Sequence, residues 1–89
     1  MKTITLSPQA LEQLDDWKRT DPKTLAKIIS LLSEIASTPF TGTGKPEPLR
    51  HNLKGKWSRR ITQEHRLVYE VKDETIWILS CKFHYDHPR

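Results

Sequence analysis

The hydrophobic pattern near the start of the chain changes from strand-like to helix-like. Residues 2–6, KTITL, alternate with period two and are rich in β-branched side chains, which predicts a first short strand. Ser7-Pro8 and Asp21-Pro22 each predict a helix start, because the oxygen side chain can cap free N–H groups and proline suits the first helical position. The apolar stripes expected to face the core are Leu11, Leu14 and Trp17, followed by Leu25, Ile28, Ile29, Leu32, Ile35 and Ala36.

The second half of the chain is typical of a loop followed by three strands. Phe40 to Pro48 is rich in Gly, Pro and Thr and predicts a loop that Pro46 and Pro48 hold extended around Glu47. The predicted strands run over Trp57–Thr62, Arg66–Val71 and Thr75–Phe83. Their short connections favour an antiparallel meander. The fold class predicted is α+β, with an N-terminal strand and two antiparallel helices packed on an antiparallel sheet.

Strand alternation assigns the last two strands a helix-facing side and an open side. The side chains expected to pack on the helices are Leu67, Tyr69, Val71, Trp77, Leu79, Cys81 and Phe83. The side chains expected on the open face are Arg66, Val68, Ile78, Ser80, Lys82 and His84. If the register has no bulge, a basic sheet surface carries Arg66 and His84 together.

Size and charge narrow the class of protein. The 89 residues, 35% of them apolar, suit one domain over residues 1–89. The net charge of +4 comes wholly from residues 45–89, which suggests a polyanionic partner. Cys81 is the only cysteine, so an internal disulfide and a cysteine metal site are excluded, and a buried thiol is expected. No stretch has the apolar length of a membrane span, and we expect a cytoplasmic protein.

The segment from Gly44 to Arg66 and the late His84-Tyr85 pair contain the groups that a phosphodiester-cleaving site needs. Cutting RNA requires a base for the 2′-OH proton, an acid for the leaving 5′-oxygen and cations for the charge on phosphorus. Glu47, His84 and the arginines can fill these roles. Each also has a simpler reading: Glu47 as a solvated loop acid, His84 as an ordinary strand histidine and the arginines as a solvated or partner-binding face.

Three motifs together resemble one known family. KPEPLRHNL at residues 45–53, GKWSRRITQEHRLVYEV at residues 55–71 and CKFHY at residues 81–85 are similar to the YoeB/Txe toxins, a branch of the RelE superfamily of type II toxin–antitoxin systems. The resemblance covers the chain end to end. It implies a RelE-like fold and a ribosome-dependent mRNA interferase that cuts messenger RNA in the A site and inhibits translation.

The resemblance also implies site residues and partners. The family's catalytic residues correspond by motif to Glu47, Arg66, His84 and Tyr85. The residues expected to bind RNA or phosphate are Lys45, Arg50, His51, Lys54, Lys56, Arg59 and Arg60. The implied partners are an acidic antitoxin of the YefM/Phd type, the ribosome with its mRNA and a second toxin copy in a homodimer. No spacing of histidines and acids resembles a zinc site, so we expect metal-free acid–base chemistry without a cofactor.

Two functions of other classes remain open at this point. A non-catalytic module that binds nucleic acid or the ribosome would need only the basic face. A ParE-like relative would share the fold and inhibit DNA gyrase, although the joint presence of Glu47, Arg66 and the His84-Tyr85 pair argues against it.

Overall fold

The computed structural model describes residues 1–83, and this part of the chain contains two α-helices and five β-strands. In chain order the elements are β1 (Thr3–Leu6), α1 (Pro8–Thr20), α2 (Pro22–Ser37), β2 (Glu47–Pro48), β3 (Lys56–Arg60), β4 (Arg66–Lys72) and β5 (Thr75–Ser80). The predicted order of elements is confirmed. The structure adds β2, a two-residue strand inside the segment predicted to be a loop, and a short 3-10 helix at His51–Leu53.

Both helices begin where the sequence predicts. The Ser7 side-chain oxygen accepts a hydrogen bond from the Ala10 N–H at 3.0 Å, and the Asp21 carboxylate accepts one from the Thr24 N–H at 3.2 Å. In each case a proline is the first helical residue. Caps of this kind stabilise a helix by about 1 kcal/mol each, and their local signals explain why the helix starts are readable from sequence.

The five strands form one sheet in the order β1-β5-β4-β3-β2. β1 lies parallel to β5, and every other neighbouring pair is antiparallel. The α+β fold class is therefore confirmed, with a mixed sheet because the N-terminal strand joins in the parallel direction. Within residues 1–83 no helix combines the length and apolar content that crossing a membrane requires.

The core lies between the helices and one face of the sheet, and two predicted core positions on the helices are wrong. Leu11 is 59% exposed and Ile29 is 52% exposed, whereas Ala10 and Leu31 are buried in their place. The rest of the predicted stripes is correct, since Trp17, Ile28 and Ile35 are buried as predicted. The principal core side chains are Ala10, Trp17, Ile28, Leu31, Ile35, Ile61, Leu67, Tyr69, Ile76, Ile78 and Cys81.

A β-bulge makes part of the predicted facing of β5 wrong. Tyr69 pairs with Ile78, but the preceding Val68 pairs with Ser80, so Leu79 is an extra residue in β5. Before the bulge, Ile76 and Ile78 face the core and Trp77 is 41% exposed on the other side. The prediction that Ile78 faces outward and Trp77 inward is corrected.

Beyond the bulge, Cys81 again faces the side of the sheet that the sequence predicts, the side toward the helices. This residue is fully buried, as predicted, and desolvation raises the pKa of its thiol to about 12. Lys82 was expected on the open face, but its ammonium group pairs with the Asp16 carboxylate on α1. Phe83, expected in the core, is 41% exposed.

Candidate active site

A cleft of about 230 Å³ opens on the sheet face opposite the helices, where β2, β3 and β4 meet. It is lined by Gly44, Lys45, Glu47, Ser58, Arg60 and Arg66. Of the predicted site residues, the cleft therefore brings together one carboxylate, one lysine and two arginines. An anion that enters it would meet three cationic side chains and one acid, which is the charge pattern expected for phosphate chemistry.

Glu47 is placed by a short strand and not by a free loop. It pairs with Ser58 of β3, and the next residue, Pro48, pairs with Trp57. The register continues at Leu49, which is buried and whose N–H donates to the Lys56 carbonyl at 2.9 Å. The prediction of a loop is therefore wrong at Glu47, which lies in a strand. Its carboxylate is held in register with the sheet and is exposed to solvent.

Gly44 allows the segment before Glu47 to lie directly against β3. Its φ is +87°, a conformation that favours glycine, and its carbonyl accepts a hydrogen bond from the Arg60 N–H at 2.7 Å. A Cβ atom at this position would lie 3.0 Å from the Arg60 carbonyl oxygen. Any larger residue would therefore push the Lys45–Glu47 segment away from the cleft.

Arg60 and Arg66 lie directly opposite each other on β3 and β4. Like charges in this arrangement are destabilising unless an anion lies between them. One end of Arg66 is fixed, because its Nη1 donates to the carbonyls of Thr62 at 2.8 Å and Gln63 at 3.1 Å. Its Nε and Nη2 donate to no atom that belongs to residues 1–83, so they are available to a ligand. The pair can therefore hold a phosphate group from two sides.

Arg59, predicted to bind phosphate, is instead fully buried on the helix side of the sheet. All five of its N–H groups are used within the protein. They donate to Glu34 Oε1, to the Tyr69 hydroxyl and to the carbonyls of Thr38, Thr41 and Thr43. The prediction is wrong for Arg59 because neighbouring strand residues face opposite sides, so only Arg60 of the pair reaches the cleft.

Most of the remaining predicted RNA-binding residues are exposed near the cleft. A second cleft of about 550 Å³ runs from Glu47 to Leu53 and is lined by Arg50 and His51, among others. It shares Glu47 with the first cleft. Lys45 and Lys54 are exposed and Lys56 is half-buried, and phosphate binding by these residues stays a prediction.

His84 and Tyr85 lie outside the described residues, but the chain that leads to them is fixed beside the cleft. The Phe83 carbonyl accepts a hydrogen bond from the Arg66 N–H at 3.0 Å. The Phe83 N–H donates to His65 Nδ1 at 2.7 Å. No local sequence pattern signals the contact between His65 and a residue so much later in the chain.

The possible metal ligands of the described residues are His, Cys, Asp and Glu side chains. In the part of the chain that the structure describes, no cluster of three or more His, Cys, Asp or Glu side chains could hold a metal ion. Metal-free chemistry stays a prediction, since His84 lies outside this part.

Comparisons with known proteins point to one family. Residues 6–85 match the family model described as YoeB-like toxin of bacterial type II toxin-antitoxin system. The toxin YoeB of Escherichia coli strain K12 is 53% identical over 77 residues, which cover 83% of this chain and 92% of that protein.

Two solved structures from Staphylococcus aureus are also similar. A YoeB dimer is 49% identical with a TM-score of 0.85, over 94% of this chain and 98% of that one. A YoeB–YefM complex contains a chain that is 48% identical with a TM-score of 0.86, over 96% and 99% of the two chains.

Proposed function

Because the chain belongs to the family of YoeB-like toxins of bacterial type II toxin–antitoxin systems, we propose that it is a ribosome-dependent mRNA interferase. The observation that carries the proposal is the meeting of Glu47, Arg60 and Arg66 in one small cleft. These three side chains come from three strands, and together they supply a base and two phosphate-binding cations. The proposal further takes residues 1–89 as one toxin domain that acts in the cytoplasm, where mRNA and ribosomes are found.

The reaction that suits these groups is attack by the RNA on its own phosphodiester bond. Glu47 accepts the proton of the 2′-OH while the 2′-oxygen forms a bond to phosphorus. Arg60 and Arg66 stabilise the negative charge that develops on the phosphoryl oxygens. The bond from phosphorus to the 5′-oxygen breaks as His84 gives that oxygen a proton. The products are a 2′,3′-cyclic phosphate, which can open to a 3′-phosphate, and a 5′-hydroxyl.

The surroundings of Glu47 determine when it can act as a base. Its carboxylate is exposed and shares the cleft with Arg60 and Arg66. A phosphodiester bound between Arg60 and Arg66 would offset their charge and exclude water from the cleft. Both changes raise the basicity of the carboxylate, so substrate binding itself would activate Glu47.

The ribosome would supply the mRNA in a strained, accessible form, and the exposed basic residues would hold the toxin against RNA. The two clefts are lined by Lys45, Arg50 and His51, and the exposed Lys54 directly follows the second cleft in sequence. These side chains can contact phosphates without reading sequence. Tyr85 would stack on an unpaired base, as aromatic side chains do in single-stranded RNA binding.

The partner proposed for the resting state is an acidic antitoxin like the YefM of the similar Staphylococcus aureus complex. A segment of this kind would order on binding and cover Arg60, Arg66 and the Glu47 carboxylate at once. A homodimer like the similar Staphylococcus aureus dimer is proposed for the free toxin.

Primer extension on a defined mRNA, with and without ribosomes, tests the proposed function. The expected result is new 5′ ends only when ribosomes are present, and their loss when the acidic antitoxin is added. Ribosome binding without cut mRNA would support the non-catalytic module in its place. Inhibition of gyrase in a supercoiling assay, with intact mRNA, would support a ParE-like activity.

Arg66 and Lys54 are expected to contribute to different steps. Arg66→Ala should lower the single-turnover cleavage rate about 10²–10³-fold with little change in affinity, because the lost donor stabilises developing charge. Lys54→Ala should weaken ribosome or RNA binding and reduce the slope of affinity against salt by about one, because one phosphate contact is lost. Single-turnover kinetics and binding at several salt concentrations separate the two. A pure affinity loss in Arg66→Ala would show that this arginine only positions RNA.

A further inference from the structure

After β5 the chain is held by side chains of other elements. The Cys81 N–H donates to the Gln13 side-chain oxygen at 2.6 Å, and the Cys81 carbonyl accepts from Trp17 Nε1 at 2.9 Å. The Lys82 ammonium pairs with Asp16 on the same helix. α1 therefore fixes the last described residues of the chain from one side.

His65 fixes them from the other side, at the turn that leads into β4. Its Nδ1 accepts the Phe83 N–H at 2.7 Å, while the N–H of the next residue, Arg66, donates to the Phe83 carbonyl at 3.0 Å. The His65 carbonyl is occupied elsewhere, because it accepts hydrogen bonds from the N–H groups of Ile61 and Thr62 and from Arg66 Nη1. The imidazole thus substitutes for a backbone acceptor, and both peptide groups of Phe83 are held beside Arg66.

The His65 ring is itself held in one orientation. It packs against Trp17 nearly at right angles, with the ring centroids 4.8 Å apart, and its side chain is only 13% exposed. Since Nδ1 accepts the hydrogen bond from the Phe83 N–H, the neutral ring carries its own hydrogen on Nε2. Burial lowers the pKa of His65, the nearby cations Lys82 and Arg66 lower it further, and the exposed Glu64 acts in the opposite direction. The neutral acceptor form is therefore favoured.

We infer that His65 is a positioning residue for RNA cleavage: it fixes the backbone of Phe83, the residue directly before His84. This inference rests on the proposed function, in which His84 is the acid. Phe83 has a φ of +64°, a conformation that non-glycine residues adopt at a cost, so its geometry depends on such outside contacts. Loss of the Nδ1 acceptor would release the Phe83 backbone. A displacement of about 1 Å at a catalytic group can lower the rate about 10²-fold.

Three substitutions of His65 separate the hydrogen bond from the packing. His65→Phe keeps a ring against Trp17 but has no acceptor. His65→Asn places its amide oxygen at the same number of bonds from Cβ as Nδ1, so it can accept the Phe83 N–H. His65→Gln places its polar atoms further out, near the position of Nε2. We expect His65→Phe and His65→Gln to lower kcat about 10–100-fold with KM unchanged, and His65→Asn to stay within about 3-fold of wild type.

Hydrogen exchange at the Phe83 amide, followed by NMR, is the readout that does not depend on activity. The amide should be protected in the wild type and in His65→Asn and should exchange faster in His65→Phe and His65→Gln. Wild-type kcat in His65→Phe, or equal losses in all three variants, would overturn the inference. If the proposed function is wrong, the result differs: the wild-type chain would cut no mRNA. The Phe83 amide would still be protected in the wild type and in His65→Asn and would still exchange faster in His65→Phe and His65→Gln.

Discussion

Glu47→Gln is expected to lower the rate of ribosome-dependent mRNA cleavage about 10²–10⁴-fold, the usual contribution of a general base. The amide has nearly the shape of the carboxylate, so the pairing of β2 with β3 should survive. What is lost is the acceptor for the 2′-OH proton. Single-turnover cleavage on programmed ribosomes measures the effect, and antitoxin binding should be retained because the cleft keeps its arginines.

The matched control for this change is Glu70→Gln. Glu70 lies on β4 opposite Lys56, on the same open face of the sheet, but it does not line the cleft. Both variants alter the net charge by the same amount, so a general electrostatic effect on RNA binding would appear in both. Cleavage by Glu70→Gln should stay within about 2-fold of wild type, as expected for a residue outside the chemistry. Equal activity of the two variants would remove Glu47 from the mechanism.

Arg59→Met is expected to destabilise the protein by about 3 kcal/mol, because it leaves several acceptors near the core without their donor. The carbonyls of Thr38 and Thr41 and the Tyr69 hydroxyl all lose a partner. The ion pair with Glu34 contributes less, since that carboxylate is 36% exposed and solvent screens it. Urea unfolding at neutral pH measures the change.

Arg60→Met is the natural comparison, because it makes the same substitution one residue later. Arg60 is exposed and faces the cleft, so its loss should change the free energy of unfolding by no more than about 0.5 kcal/mol. Its cleavage rate, in contrast, should fall sharply. If the two variants lost the same stability, the separate roles assigned to these neighbouring arginines would be wrong.

The parts of the fold that sequence could predict depend on local physics. Ser7 and Asp21 cap helices through hydrogen bonds to residues only three positions away, so each signal lies within one window of sequence. The prediction of Glu47 and Arg66 as site residues rests instead on the resemblance of their motifs to the YoeB/Txe toxins, together with the prolines on both sides of Glu47. Glu47 and Arg66 line the same cleft because β2 pairs with β3 and β3 pairs with β4.

The parts that sequence missed depend on contacts between distant segments. The bulge at Leu79 reverses the facing of β5, and nothing in its own residues signals an extra position. Strand alternation places Arg59 and Arg60 on opposite faces of the sheet. The family motif, in contrast, implies phosphate binding by both. The hydrogen bond from Phe83 to His65 depends on how β4 and β5 are aligned and has no local signature.

The parallel pairing of β1 with β5 bears on when the protein can fold during its own synthesis. The first strand made must wait for the last strand of the sheet, because each residue of β1 is aligned with one of β5. The helices likewise share a core with β4 and β5, which are synthesised after them. Such distant contacts must close a long loop before they stabilise the chain, and folding is correspondingly slow. The cleft of the toxin, with the RNA-cleaving site proposed there, therefore forms only after β5 has been synthesised.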